Sequence, residues 1–268
     1  MPSPAADAPC PEQAFNATAL KWHTCAWLLL PVLVFLTGWM HWYAALPLTL
    51  LMAAGLTPRE RKEPQTRDSL PAFPLFTRSS FLALAAFAAL MALSGWGEWV
   101  NQHPDHIVRN ACLRELVASP WPVIFPDGNV LIYNTGFWLV PALAGKLAGL
   151  DAARVLIVLW GTWGLFLSWL WLCVFSGRRS LLLALLMAAF GSLLNFQCWL
   201  GLDLFRLHYF GTAEQIMCSA NASIPVLLFF IFLASGRMPL YWMPLLFAAT
   251  AFYSPLAALG GLPLAACQ

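Results

Sequence analysis

The chain has 268 residues, of which 60% are hydrophobic and 10% charged, and its formal net charge is +2. A soluble domain carries about 25% charged residues. The composition therefore excludes a water-soluble globular fold, and so few cations exclude a nucleic-acid-binding surface. With 14 Trp and 19 Phe, the class is an all-α, polytopic membrane protein in contact with the lipid bilayer. The short alternating segments of a β-barrel are absent.

The first stretch, MPSPAADAPCPEQAFNATALKWH, lacks a basic region directly before a short apolar core, so it is not a signal peptide. It reads as a flexible cytoplasmic tail over 1–23, ahead of a membrane domain over 24–268. Run 24–56 has no charge and is long enough for two short helices broken near Gly38-Trp39-Met40-His41. The following loop carries Arg59, Arg61, Lys62, Arg67 and Arg78 and is placed in the cytoplasm, because Lys and Arg concentrate there. The helix at 79–97 then runs outward. It leaves Glu98, beside the aromatic-belt residues Trp96 and Trp99, at the start of an external loop, 98–133.

His103-Pro104-Asp105 reads as a helix start, with Pro in the first turn and Asp at the positive end of the dipole. Ile107, Val108, Ala111, Cys112, Leu113, Leu116 and Val117 follow at helical spacing. His106, Arg109, Asn110 and Arg114 fall mostly on the other side. The spacing predicts an amphipathic helix lying on the outer face of the membrane. Ser119-Pro120-Trp121-Pro122 ends it, and Asp127-Gly128 signals a turn.

Segment 133–150 contains Pro141 and Lys146 and is marginal as a span, so it is read as a re-entrant or juxtamembrane segment. Run 155–175 then goes inward and places Arg178 and Arg179 in the cytoplasm, as topology signals. Runs 180–202 and 216–235 exit and return, Arg237 is cytoplasmic, and 239–258 exits. This gives about seven transmembrane helices. The end, GGLPLAACQ, has no polar tail, so a continuation is expected. The seven Cys contain no CxxC pair and read as small apolar residues rather than a disulfide frame or zinc site.

The loop elements HPDHIVRNACLRELVASPWPV and YNTGFWLVPALAGKLAG resemble the first external loop of the GT-C superfamily of membrane glycosyltransferases, on the aminoarabinose and protein O-mannose transferase branch. The likeness is strongest over about 79–180. It implies a GT-C-like fold and a transferase that takes sugar from a polyprenyl-phosphate carrier at the outer face of a bacterial inner membrane. Such transfer needs a carboxylate near the acceptor and cations near the phosphate. Carried over, the acid is Asp105, although His106 follows where the family often has a second acid. Glu98 is another candidate, and Asp203 is the acid of the next external loop. Arg206, His208, Lys146 and Arg109 are the candidates for lipid phosphate or substrate. His103, Asp105 and His106 are the candidates for a divalent metal.

Each residue also has a structural reading. Asp105 can cap the helix or pair with Arg109 at i+4. Glu98 can be an interfacial charge, and Asp203 and Arg206 a rim ion pair. His208 can be an interfacial histidine, and Lys146 can snorkel to head groups. The alternative function is a non-catalytic scaffold or subunit of cell-envelope polysaccharide assembly. A transporter ranks third, since the spans hold almost no ionisable residues and no repeat is visible.

Overall fold

In the computed structural model, which describes residues 17–57, 77–100, 102–190 and 211–266, the chain is helical and no named strand occurs among the described residues. The helices are α1 (Ala17–Trp39), α2 (Trp42–Leu56), α3 (Arg78–Leu93), α4 (Pro104–Ala118), α5 (Gly136–Ala148), α6 (Leu150–Ser176), α7 (Leu181–Ala189), α8 (Thr212–Ala234), α9 (Met243–Tyr253) and α10 (Pro255–Ala266). A short 3-10 turn, Leu240–Trp242, precedes α9.

Among the described residues, three helices are long and apolar enough to cross a membrane: Thr18–Trp39, Leu150–Ser176 and Thr212–Ala234. At 1.5 Å per residue, α6 is about 40 Å long and α5 only about 20 Å, against roughly 30 Å of hydrocarbon. The break at Met40-His41 separates α1 from α2 as expected, but α1 begins at Ala17, so residues 17–23 extend the helix instead of belonging to the tail. The run after Arg237 is also divided: it bends at Ser254-Pro255 into α9 and α10.

The direction of each helix follows from its contacts. Thr77 and Ser80, at the start of α3, meet Arg179 just beyond the end of α6. Gly97, after α3, lies against the Arg154 carbonyl near the start of α6. The two are therefore antiparallel. Trp171 and Phe232 stack at 4.3 Å near the ends of α6 and α8, and Trp96 bonds Ile216 near the start of α8, so α6 and α8 are parallel. Thr24, near the start of α1, accepts a hydrogen bond from the Trp171 indole at 2.8 Å. One end of the bundle thus gathers Lys21, Arg178, Arg179 and Arg237, and the other gathers Glu98, Asp105 and Asp151.

Lipid is as apolar as Leu, so packing between helices depends on close fit and on interhelical hydrogen bonds. Helix α6 supplies the fit. A Cβ on Gly164 would stand 2.6 Å from Ile224 Cγ2 and 2.7 Å from Trp27 Cζ2, and Gly161 is covered by the tip of Met91. Helices α1, α3 and α8 therefore approach the α6 backbone itself. Gly145 does the same for α5, where a Cβ would lie 2.8 Å from Ala153 Cβ. The aromatic core continues through Trp27, stacked on Trp160 at 5.0 Å and on Tyr253 at 5.6 Å.

Candidate functional site

Polar residues concentrate where the turn after α3, the heads of α4 and α6, and a bend in α8 meet. Backbone geometry creates the turn. Gly95 and Gly97 have φ of 93° and 92°, and Glu98 has φ of 68°. A non-glycine residue in this left-handed region costs roughly 1 kcal/mol or more. Contacts hold it there. Arg114 donates to both Glu98 carboxylate oxygens, at 3.1 and 2.6 Å, and Arg154 donates to Oε2. Arg154 also bonds Asp151 at 2.8 Å. Two carboxylates and two guanidiniums form a neutral set that joins the turn to α4 and α6. Burial works to raise the Glu98 carboxyl, but hydrogen bonds and charge from Arg114 and Arg154 outweigh it and hold the group below its ordinary value.

The start of α4 is reciprocally capped by two histidines. His103 Nδ1 accepts from the Asp105 N–H at 3.4 Å, and His106 Nδ1 accepts from the His103 N–H at 3.1 Å. Pro104 occupies the first turn, where its missing N–H costs nothing. The expected helix start is therefore present. The buried face combines the two sides that the spacing separates. His106 and Arg109 are buried with Cys112, Leu113 and Leu116, whereas Ile107 and Val108 are exposed. The inward face is the one with partners for its polar groups, and those partners come from the turn after α3 and from α8.

Helix α8 supplies them because it bends. Ser219 is non-helical (φ −151°, ψ 42°), and Pro225 follows. Proline lacks the N–H for the carbonyl of the residue four positions earlier and crowds it, and Ser and Asn side chains compete for nearby backbone groups. Carbonyls around the bend take side-chain donors. Trp96 Nε1 donates to Ile216 O at 2.9 Å, and Ser223 Oγ donates to Ser219 O at 3.0 Å. His106 Nε2 lies 3.0 Å from Met217 O and donates to it, since Nδ1 is occupied as an acceptor. Burial first, then the charges of Arg109 and His103, keep this imidazole below its ordinary value, against the Met217 carbonyl and Asp105. With both ring nitrogens engaged, His106 is removed from the metal candidates. Trp96 is removed from the aromatic belt, being 1% exposed.

Arg109 sits between these elements. Its Nη2 donates to Ser219 Oγ at 3.3 Å and faces Asp105 Oδ2 at 3.6 Å. Its Cζ stands 5.9 Å above the Trp96 ring. The side chain is 9% exposed, and its Nε and Nη1 are buried without a hydrogen-bond partner. Asp105 pairs with Arg109 at i+4, as one of the two sequence readings had it, and its own side chain is 51% exposed. An exposed carboxylate and an incompletely bonded guanidinium thus lie side by side at the head of an amphipathic helix.

Other expected residues have different duties. Lys146 donates to Ser119 O at 2.5 Å and lies 5.0 Å from the Trp121 ring. It closes the end of α4. Arg179 bonds Thr77 Oγ1 at 3.4 Å and Ser80 Oγ at 3.3 Å, so it ties α3 to α6 as well as marking topology. Cys112 is buried, which pushes its thiol up to about 12. Asp203, Arg206 and His208 lie outside the described residues. Arg154, Cys218 and Ser219 were not singled out from sequence. Only the polar run Ser219-Ala220-Asn221-Ala222-Ser223 inside an apolar segment hinted at the bend.

Among the described residues, the fold and the polar junction define an all-helical membrane protein with Glu98, Asp105 and Asp151 gathered at one end. No protein-family model matches the chain, and comparisons with curated proteins and with solved structures return no match either.

Proposed function

We propose that the protein is a GT-C-like membrane glycosyltransferase that transfers sugar from a polyprenyl-phosphate carrier at the outer face of a bacterial inner membrane. The observation that carries this reading is the exposed Asp105 carboxylate beside the buried Arg109 guanidinium, with its two unbonded donors. Transfer from a phosphate carrier calls for that combination: an acid to accept the acceptor's proton and a cation for the leaving phosphate. The helix directions support the seven-crossing arrangement, since parallel α6 and α8 place Arg178, Arg179 and Arg237 on the side of Lys21, opposite Asp105. The brevity of α5 supports a re-entrant segment.

The roles of the residues follow from their contacts. Asp105 is the candidate base and Arg109 the candidate phosphate partner. Glu98 has both oxygens held by arginines, so it acts as a positioning residue. Lys146 is committed to the end of α4. That commitment of charged groups to structure favours the second reading, a scaffold or subunit of envelope polysaccharide assembly.

The test is transfer from labelled polyprenyl-phosphate sugar in membranes carrying wild type, Asp105→Asn or Asp203→Asn. Loss of a general base costs on the order of 10² to 10⁴ in rate. Wild-type transfer that both variants retain would sink the assignment, and a wild type that never transfers but co-purifies with envelope proteins selects the scaffold.

A further inference from the structure

Three side chains meet at the junction of α4 and α8 in a combination that neither capping nor sugar transfer requires. His103 precedes α4, Asp105 lies in its first turn, and Cys218 comes just before the α8 bend. An imidazole nitrogen, a carboxylate oxygen and the sulfur all lie within 4.8 Å of one another. We propose that His103, Asp105 and Cys218 form a binding site for a borderline-soft divalent transition metal of the zinc class.

The donor set decides the class of ion. Thiolate and imidazole suit zinc, cobalt and their neighbours, whereas magnesium and calcium take oxygen ligands almost alone. One thiolate and one carboxylate balance the charge of a divalent ion, and the imidazole binds neutral. Bonds of about 2.0–2.3 Å in a tetrahedral site place ligand atoms roughly 3.3–3.8 Å apart. Closing from the observed separation needs about an ångström of movement. The side chains of His103 and Asp105 are 43% and 51% exposed, and the long contacts that hold them, 3.4 Å at His103 Nδ1 and 3.6 Å at Asp105 Oδ2, leave room to supply it, while Cys218 is anchored in α8. The same exposure gives the ion its entry path and leaves a fourth position to water.

The neighbours agree with this assignment. His106, the metal candidate beside Asp105 in sequence, has no nitrogen to offer, and His103 takes its place among the ligands. Arg109, 3.6 Å from Asp105 Oδ2, is an outer partner that orients the carboxylate and sets its angle to the ion. Its positive charge also lowers the affinity for a dication, so the net charge of the occupied site is that of the guanidinium. On binding, the Cys218 thiol loses its proton to solvent and the Sγ lone pair forms the bond to the metal. The ion would then clamp the head of α4 to the bend of α8. This site shares Asp105 with the sugar-transfer reading, but His103 and Cys218 have no part in that reading, so the site survives if that reading fails.

The test uses the full chain purified in detergent, stripped with a chelator and titrated with Co²⁺ alone. The expected result is a near-ultraviolet thiolate-to-cobalt charge-transfer band that saturates at one ion per chain and is bleached by Zn²⁺ but not by Mg²⁺. Cys218→Ser abolishes the band, and Cys112→Ser leaves it. The exposed-site variants His103→Gln and Asp105→Asn, which remove no packing, weaken Co²⁺ binding by at least about tenfold. Zn²⁺ raises the unfolding temperature of wild type and not of Cys218→Ser. Absence of the band in wild type, its persistence in Cys218→Ser, or Co²⁺ affinity unchanged in both exposed-site variants overturns the proposal.

Discussion

The Tyr253 hydroxyl donates to the carbonyl oxygen of Trp27 at 2.9 Å, and that carbonyl is the one Pro31 leaves without its helical donor. Proline at position 31 of α1 has no N–H to return to the residue four positions earlier. In an apolar surrounding an unpaired carbonyl is costly, and a neighbouring helix must repair it. Helix α9 does so with a fully buried phenol, and the same ring stacks on Trp27.

A double-mutant cycle tests the pairing. Tyr253→Phe keeps the ring and removes the donor, with an expected loss of about 1–2 kcal/mol. Pro31→Ala restores the helical N–H, so Tyr253→Phe made in that background should cost less than half as much. Reversible unfolding in mixed detergent micelles measures all four species, and equal costs in both backgrounds would show that Tyr253 does not serve the proline-freed carbonyl.

The bend in α8 depends on donors from outside the helix. Trp96→Phe removes the hydrogen bond to Ile216 O and should destabilise by about 1–2 kcal/mol, while Trp96→Ala should cost about 3–5 kcal/mol through the added cavity. Loosening the bend should also open the junction around Cys218. Maleimide labelling of Cys218 is expected to speed up in Trp96→Phe, whereas labelling of Cys112 stays slow. An unchanged Cys218 rate would mean that the bend is held by Pro225 alone.

Glu98 sets an acid limit on stability. Its carboxyl is held below the ordinary value in the folded chain, so the unfolded chain binds the proton more tightly. Stability from the Arg114 and Arg154 contacts is fully present above the unfolded value of about 4.3 and is lost as pH falls through the folded value. Glu98→Gln should remove that acid sensitivity and destabilise the neutral-pH protein by about 1–3 kcal/mol, reduced by screening at the half-exposed Arg114. Thermal unfolding from pH 7 down to pH 3 distinguishes the two chains; parallel profiles would refute the assignment.

Gly164 and Gly161 differ in what faces them. Gly164 is opposed by the Trp27 ring and the branched Ile224, whereas Gly161 faces the flexible end of Met91. Gly164→Ala should therefore cost about 1–3 kcal/mol, and Gly161→Ala clearly less. If Gly161→Ala proves the more damaging in the same unfolding assay, the close approach of α1 and α8 to α6 is misassigned.

The sequence by itself determined the class, most helix positions and the head of α4. Each of these depends on short-range properties. Twenty-odd uncharged residues make a spanning helix, Pro104 and Asp105 start one, and Gly38 with the polar edge at His41 ends one. The i+4 pair of Asp105 and Arg109 was legible for the same reason. Which face of α4 points inward was decided only by the tertiary structure. Apolar spacing favoured Ile107 and Val108, but in a membrane setting apolar residues gain little by facing protein instead of lipid. The polar residues gain most, because burial without a partner is costly to them. His106 and Arg109 therefore turn to the α8 bend, where Met217 O and Ser219 Oγ accept, and Arg109 lies over the Trp96 ring. The meeting of Glu98 with Arg154, and of His103 and Asp105 with Cys218, joins residues far apart in the chain. No local pattern encodes such a meeting; it arises when glycines in α6 let α1, α3 and α8 close on one backbone.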